Sequence, residues 1–134
     1  MLPDITLTRS DRDRLANIVQ ALSLRSQDAL ADFLDREISR ARIVEPGDIP
    51  SDVATMNSRV VYRDEGAGTE RTVRLVYPGE ENSDTGSLSV LTPVGTALLG
   101  LRRGQSIEWT TRDGRPRRLT LVDVLSQPAW PGTR

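Results

Sequence analysis

The sequence predicts an α+β fold. An N-terminal antiparallel helical hairpin, a short coiled coil over residues 1–45, precedes a mostly antiparallel sheet domain with one short helix over residues 46–134. Two observations lead to this prediction. Apolar residues recur at helical spacing as far as residue 44, and from residue 56 onward they alternate with polar residues in short runs separated by turns. A chain of 134 residues has room for one ordinary domain, or for a small domain with a helical appendage.

The first helix is predicted from the segment "LTRSDRDRLANIVQALSL". Thr8 is a candidate N-cap, because a threonine hydroxyl can accept a hydrogen bond from a free amide of the first turn. Asp11 and Asp13 follow in that turn, where negative charge complements the helix dipole. Four apolar residues then share one face: Leu15, Ile18, Val19 and Leu22. We expect an amphipathic helix of about four turns.

The second helix is predicted from "SQDALADFLDREISRARIV", with Ser26 as its cap and Val44 as its approximate end. Its apolar face consists of Leu30, Leu34, Ile38 and Ala41. The connection between the helices is short, so we expect them to be antiparallel neighbours. At the rise of an α-helix, such a hairpin projects only ~20 to 25 Å.

A linker, "EPGDIPSD", separates the helical part from five predicted strands. The strands have period-two alternation and are rich in Val, Leu, Tyr and Thr: "RVVYR", "RTVRLVY", "SLSVL", "QSIEWTT" and "RRLTLVDVL". Turn signals lie between them, and "RDGRP" contains the Asp-Gly pair of a β-hairpin. One short helix is expected near residues 94–100.

The stretch "PVGTALLGLRRG" resembles a phosphate-binding loop, since Gly95 and Gly100 stand five residues apart. A phosphate loop needs a lysine after its second glycine, but Leu101 and Arg102 follow Gly100. A packed helical turn explains the stretch better. Pro93 suits the first helical position and Gly100 suits a left-handed cap. The turn before this helix protrudes, and exposed loops on rigid scaffolds often bind partners.

The composition excludes several classes of enzyme. The chain has no cysteine, histidine or lysine, and all 18 basic residues are arginine. A Ser-His-Asp triad, a cysteine nucleophile, a Schiff base and the common zinc sites therefore cannot be built. We predict a non-enzymatic protein without a cofactor. The chain lacks a secretory signal and the roughly 20-residue apolar run of a membrane span, so we expect a cytoplasmic monomer that does not associate with membranes.

The net charge of −1 is unevenly distributed along the chain. Residues 101–134 carry seven arginines against three acids, whereas residues 45–100 carry four against nine. A near-neutral total argues against bulk nucleic-acid binding, and we expect no sequence-specific contact with nucleic acid. The arginine-rich segment suits an acidic protein partner.

Three segments resemble the Gre transcript-cleavage factor superfamily, and most closely its Rnk branch, the regulators of nucleoside diphosphate kinase. They are "DIPSDVATMNSRV", "TVRLVYP" and "SVLTPVGTALLGLRRGQSIEW", which occur in that order behind a helical hairpin. The resemblance extends from about Ile5 to Val124. It implies an FKBP-like C-terminal domain that docks at the entrance of the RNA polymerase secondary channel, with the hairpin directed toward that channel.

In Gre factors, acidic residues at the hairpin tip help to hold the magnesium that cleaves RNA. Here the tip "SLRSQD" offers Asp28 alone, with Arg25 nearby, and the hairpin is short. The resemblance therefore implies a polymerase-binding regulator that competes with Gre factors and does not stimulate cleavage. It implies partner-binding residues Leu91, Thr92, Pro93, Val94, Gly95, Arg102 and Arg103, with Leu24, Arg25 and Asp28 at the hairpin tip.

Three alternatives remain open on sequence alone. The first is a metal site built from the acids Asp28, Asp32, Asp35 and Glu37. The second is a prolyl isomerase or chaperone, although aromatics make up only 4% of the residues. The third is a nucleic-acid-binding patch formed by Arg102, Arg103, Arg112, Arg115, Arg117 and Arg118.

Overall fold

The structure, a computed structural model, describes residues 2–23, 29–111 and 113–128. It is a mixed α+β fold, as predicted. Within these residues, three α-helices, α1 (Arg9–Ser23), α2 (Ala29–Arg40) and α3 (Pro93–Leu98), pack with a two-stranded and a five-stranded sheet. Within the described ranges, no helix is both long enough and apolar enough to cross a membrane.

The N-terminal segment contains a small sheet that the sequence analysis did not predict. Strands β1 (Thr6–Thr8) and β2 (Arg42–Val44) are parallel, with Leu7 opposite Ile43. The prediction that the second helix continues to Val44 is therefore wrong, because α2 ends at Arg40. The physical reason is a long-range pairing, in which the Arg42 amide donates to the Ile5 carbonyl at 2.9 Å and Leu7 becomes buried.

The predicted N-cap of α1 is present. The Thr8 hydroxyl accepts a hydrogen bond from the Asp11 amide at 3.1 Å, which satisfies one of the free donors of the first turn. The predicted cap of α2, Ser26, lies outside the described residues. So do the other residues between the two helices, and the antiparallel hairpin stays a prediction.

The two long helices share one apolar core with the C-terminal part of the chain. Leu15 and Val19 of α1 and Leu34 and Ile38 of α2 are buried, as their helical spacing predicts. The same core continues into the C-terminal part through Met56, Leu75, Tyr77, Val90 and Leu99. The helices are therefore packed against the residues that follow the predicted boundary at residue 45.

The larger sheet contains all five predicted strands. They are β3 (Arg59–Asp64), β4 (Thr69–Val76), β5 (Ser87–Ser89), β6 (Ser106–Thr110) and β7 (Pro116–Ser126). Their spatial order is β5-β4-β3-β7-β6, and all neighbours are antiparallel except β4 and β5. The β3–β7 pairing changes register at two places, between Arg59 and Val60 and between Val61 and Tyr62. The Asp-Gly turn joins β6 to β7, as predicted, with Gly114 at a φ of 83°.

Candidate partner-binding site around α3

The turn that leads into α3, residues 91–95, is held by a hydrogen-bonded threonine. Thr92 is extended, with a φ of −135° and a ψ of 158°, and its Oγ1 accepts from the Gly95 amide at 2.9 Å. The same hydroxyl donates to the Ser89 carbonyl at 2.8 Å, which ties the turn to the end of β5. Pro93 occupies the first helical turn, where its missing amide costs nothing. The turn therefore has a defined shape.

Gly95 is required by close packing. A Cβ atom at this position would stand 2.2 Å from the Ser89 carbonyl oxygen, a distance that no side chain tolerates. Gly100 follows α3 with a φ of 79°, in the left-handed region, and a Cβ there would stand 2.9 Å from the Ile5 Cβ. The prediction of a capped helical turn is confirmed.

The amides of this glycine stretch already have partners within the chain. The Gly95 amide donates to the Thr92 side chain, the Gly100 amide to the Ala54 carbonyl and the Gly104 amide to the Leu121 carbonyl. A phosphate loop needs such amides to point at its ligand. The segment therefore lacks the donors of a phosphate cradle.

The predicted partner residues differ in exposure. Pro93 is exposed, whereas Leu91, Thr92 and Val94 are half-buried and Gly95 is buried. Leu91 and Thr92 line a shallow depression of about 450 Å³ beside the short edge strand β5. The accessible surface of the 91–95 turn thus comes from Pro93 and its half-buried neighbours, while Gly95 acts through the backbone position that it permits.

Arg102 and Arg103 lie beyond the other end of α3. Their side chains are 50% and 63% exposed, and they face Asp52 at 3.4 Å and Asp123 at 3.9 Å respectively. The backbone here is ordered, because the Arg102 amide donates to the Gln105 side chain and the Arg103 amide to the Asp52 carbonyl. The two arginines and the 91–95 turn therefore flank the same short helix. The tip residues Leu24, Arg25 and Asp28 lie outside the described part of the chain.

The described arginines of the C-terminal third each lie near an acid. Five of them have a carboxylate within 4 Å: Arg102–Asp52, Arg103–Asp123, Arg115–Asp113, Arg117–Asp64 and Arg118–Glu108. Arg112 lies outside the described residues. Such exposed pairs add little stability, but they cancel the positive field on which nucleic-acid binding depends. This arrangement disfavours the nucleic-acid alternative.

The acidic side chains of α2, which were considered as metal ligands, do not converge. Asp32 and Asp35 are exposed, whereas Glu37 is 2% exposed and accepts two hydrogen bonds from Arg40, at 2.5 and 3.1 Å. Asp28, the fourth acid of the row, is not among the described residues. Within residues 2–23, 29–111 and 113–128, no three acids converge as metal ligands.

The aromatic residues mostly belong to the core. Tyr62 and Tyr77 are buried, and Phe33 stacks on Trp109 with ring centroids 6.4 Å apart. Trp130 is not described. The tyrosines therefore serve core packing.

Sequence reasoning missed one polar cluster, centred on Asp11. Its carboxylate is buried, and it accepts hydrogen bonds from the Tyr77 hydroxyl at 2.9 Å and the Met56 amide at 3.2 Å. Arg14 lies over the Tyr77 ring, 3.6 Å from its centroid. Burial raises the pKa of Asp11, and the hydrogen bonds offset part of that increase. A signal was present in the sequence, because Asp11 is four residues before Leu15 and thus on the apolar face of α1.

Comparison with known proteins gives two family matches that together span most of the chain. Residues 3–44 match the Rnk N-terminus, and residues 49–126 match the C-terminal region of the transcription elongation factors GreA and GreB. The chain is 43% identical over 103 residues to the regulator of nucleoside diphosphate kinase of Escherichia coli K12, covering 77% of this chain and 76% of that protein. It is 31% identical over 91 residues to the elongation factor GreA of Azorhizobium caulinodans, covering 68% of this chain and 57% of that protein.

A solved structure, the transcription elongation factor GreA/GreB from Nitrosomonas europaea, has a similar fold. The TM-score is 0.69 at 37% sequence identity, and the alignment covers 91% of this chain and 98% of the other.

Proposed function

This chain belongs to the GreA/GreB superfamily of transcription factors, in the branch that carries an Rnk N-terminus, and we propose that it binds RNA polymerase at the rim of the secondary channel. As a member of this family it is a Gre-like transcription factor or regulator, and its relatives are regulators rather than enzymes. In this proposal it regulates transcription by occupying the polymerase, without chemistry of its own.

The proposal rests chiefly on the structure of the 91–95 turn. This turn lies inside the segment that matches the GreA and GreB C-terminal region, and its shape depends on Thr92 and on the close approach of Gly95 to Ser89. A rigid turn loses little conformational entropy when a partner binds, so little of the free energy of its contacts is spent on ordering it. Exposed Pro93 and the half-buried apolar residues beside it supply the contact surface.

The arginines beyond α3 supply the electrostatic part of the proposed contact. Arg103 is 63% exposed, and its carboxylate partner Asp123 is 3.9 Å away, at the outer limit of an ion pair. Such a pair is weakly held, so the guanidinium is free to turn toward an acidic partner helix. We infer that Arg102 and Arg103 contact acidic residues of the polymerase, which adds specificity and association rate more than affinity.

We further propose that the protein does not stimulate transcript cleavage. Helix α1 has 15 residues and α2 has 12, so they extend only ~22 and ~18 Å respectively. The segment between them contains Asp28 as its single acid, whereas holding a catalytic magnesium ion takes more than one carboxylate. A short hairpin of this kind occupies the channel entrance and excludes longer Gre factors by competition.

The test is a pull-down of core RNA polymerase by the tagged full-length protein, followed by displacement with a Gre factor. We expect retention of core polymerase, loss of that retention as Gre factor is added, and no RNA shortening in stalled elongation complexes. A tagged protein that retains no core polymerase contradicts the proposal. RNA shortening by the retained protein contradicts only its non-cleaving part.

A further inference from the structure

Strand β6 forms one edge of the five-stranded sheet. In the described part of the chain it pairs with β7 alone, because the strand order ends there. An open strand edge presents unpaired backbone donors and acceptors, and proteins usually cover or shorten such edges. The outer edge of β6, five residues long, is therefore open to pairing with another strand.

The hydrogen bonds at the two ends of the β6–β7 pair show which backbone groups face outward. The Leu121 amide donates to the Gln105 carbonyl at 3.0 Å, and the Thr111 amide donates to the Arg115 carbonyl at 2.8 Å. Backbone groups alternate in direction along an antiparallel strand, so odd-numbered residues of this strand point toward β7. Even-numbered residues therefore point their N–H and C=O groups away from it: Ser106, Glu108 and Thr110. Proline at position 116, opposite Thr110, agrees with this alternation, since it has no amide to donate.

A cleft of about 790 Å³ runs between this edge and helix α2. Four consecutive residues, 108–111, line it. Side chains of a strand alternate between its two faces, so consecutive lining residues mean that the cleft borders the edge of β6 and not one face. Across the cleft are Leu2, Leu30, Phe33 and Pro93, so the opposite wall is largely apolar.

Among the described residues that line the cleft, Arg36 is the one cation with no carboxylate within 4 Å. Glu37 and Arg40, which also line it, are bonded to each other, and Glu108 lies 3.9 Å from Arg118. Arg36 is exposed at the α2 wall and forms no ion pair with any residue that the structure describes. A segment that enters the cleft therefore meets an apolar wall and, among the described residues, one guanidinium without an ion pair.

We propose that this cleft binds an extended segment of another protein, which adds to the sheet as a strand beside β6. Backbone hydrogen bonds to Glu108 and Thr110 give affinity, and side chains on one face of the segment give specificity. An apolar side chain packs on Phe33, and a carboxylate near it pairs with Arg36. The cleft borders Pro93, which also belongs to the 91–95 turn, but its strand edge is separate from Arg102 and Arg103, and the proposal does not rest on polymerase binding.

A second copy of the chain is a poor occupant of the cleft. Glu108 is the central residue of β6, so antiparallel pairing of two β6 strands about their centres would place Glu108 opposite Glu108. Like charges directly opposite each other destabilise a strand pair. The free arginine on α2 likewise favours an acidic segment from a different protein.

The test begins with a phage-displayed library of random heptapeptides, selected on the full-length chain. We expect enriched peptides in which apolar residues alternate and one position carries Asp or Glu. The peptides are then synthesised with acetylated and amidated ends, and hydrogen exchange is measured by NMR with and without them. Binding should slow exchange of the Glu108 and Thr110 amides by ~10-fold or more, because each gains an acceptor.

Paired variants separate backbone pairing from other modes of binding. Thr110→Pro removes an outward amide without touching the β7 ladder, and proline is tolerated on edge strands. It should weaken the affinity for the peptide about fivefold to tenfold, whereas the Thr110→Ala protein keeps the amide and should bind the peptide normally. Arg36→Glu should reverse the preference for acidic peptides, and Arg36→Gln should only reduce it.

Three results would overturn the proposal. The first is a selection that enriches no peptide above a control without protein. The second is peptide binding that leaves exchange at Glu108 and Thr110 unchanged. The third is a dimer in sedimentation equilibrium that Thr110→Pro dissociates, because it would identify the occupant as a second copy.

Discussion

The Tyr77 hydroxyl donates a hydrogen bond to the Asp11 carboxylate at 2.9 Å, across 66 positions of sequence. Asp11 lies in the first turn of α1 and Tyr77 directly follows β4, so the bond joins the helical segment to the larger sheet. The second carboxylate oxygen accepts from the Met56 amide. The start of α1 is thereby fixed relative to the region that carries the proposed partner surface.

Removing the Tyr77 hydroxyl should destabilise the fold. In Tyr77→Phe the buried Asp11 carboxylate loses a donor, and we expect a loss of about 2 kcal/mol in the free energy of unfolding. Tyr62→Phe is the matched control, since Tyr62 is also buried but its hydroxyl makes no hydrogen bond to the described residues. Urea unfolding of both variants measures the difference. If the two variants lose the same unfolding free energy, the Tyr77–Asp11 hydrogen bond does not stabilise the fold.

Stability should depend on pH through Asp11. Its pKa in the folded protein is raised above the ordinary value of 3.8, chiefly by burial. The folded state therefore binds the proton more tightly than the unfolded state, so this contribution is fully present below about pH 3.8 and is lost as pH rises through the folded pKa. The stability of the wild type relative to Asp11→Asn should fall as pH rises from about 4 toward neutrality.

Urea unfolding of both proteins across that pH range provides the measurement. The comparison with Asp11→Asn is needed because Asp64 and Asp113 have lowered pKa values, which make stability increase as pH rises. That effect is the same in both proteins and cancels in the difference. A relative stability that rises with pH would mean that the hydrogen bonds from Tyr77 and Met56 outweigh the cost of burial.

Gly95→Ala should damage the proposed partner site through its backbone. The added methyl would stand 2.2 Å from the Ser89 carbonyl oxygen, so α3 and the end of β5 must move apart, at a cost of about 2 to 3 kcal/mol. Gly66→Ala serves as the control, because its nearest atom would be a side-chain oxygen at 3.5 Å and no left-handed φ is involved. Thermal unfolding compares the two. A Gly95→Ala protein as stable as Gly66→Ala would contradict the packing.

Polymerase binding should depend on Pro93 and Arg103. We expect Pro93→Ala and Arg103→Ala each to weaken retention of core polymerase, by about fivefold for a contact worth ~1 kcal/mol, with the fold intact. Arg115→Ala is the matched control, since Arg115 is also an exposed arginine beside an acid but lies at the β6–β7 turn. Binding is measured by titrating labelled protein with core polymerase. An equal effect of all three variants would argue against a contact surface around α3.

The elements that were predicted from sequence are those that local patterns determine. Alternation identified the five strands of the larger sheet, and Leu15, Val19, Leu34 and Ile38 were assigned to the core from helical spacing. Thr8 was recognised as a cap from its residue type at the start of the helical pattern, and the Asp11 amide that it binds is only three residues away. In the candidate site, the left-handed Gly100 followed from the same kind of local rule.

The parts that were missed depend on residues far apart in the chain. Strands β1 and β2 each have three residues, too few to show a period, and they exist because they pair with each other. Arg103 appeared to belong to a basic patch until the fold placed Asp123 beside it. Gly95 was assigned to a contact loop, and only the position of Ser89 shows that it is buried.

By itself the sequence determined the α+β class, the five strands of the larger sheet, the short helix α3 with its left-handed Gly100, and the family resemblance. Each of these depends on spacing and turn chemistry within a few residues. Tertiary structure alone decided that Asp11 binds Tyr77, which arginines lie beside an acid, and that Glu108 and Thr110 line an open cleft. Those features require distant segments to meet, and the burial of the shared apolar core determines which segments do so.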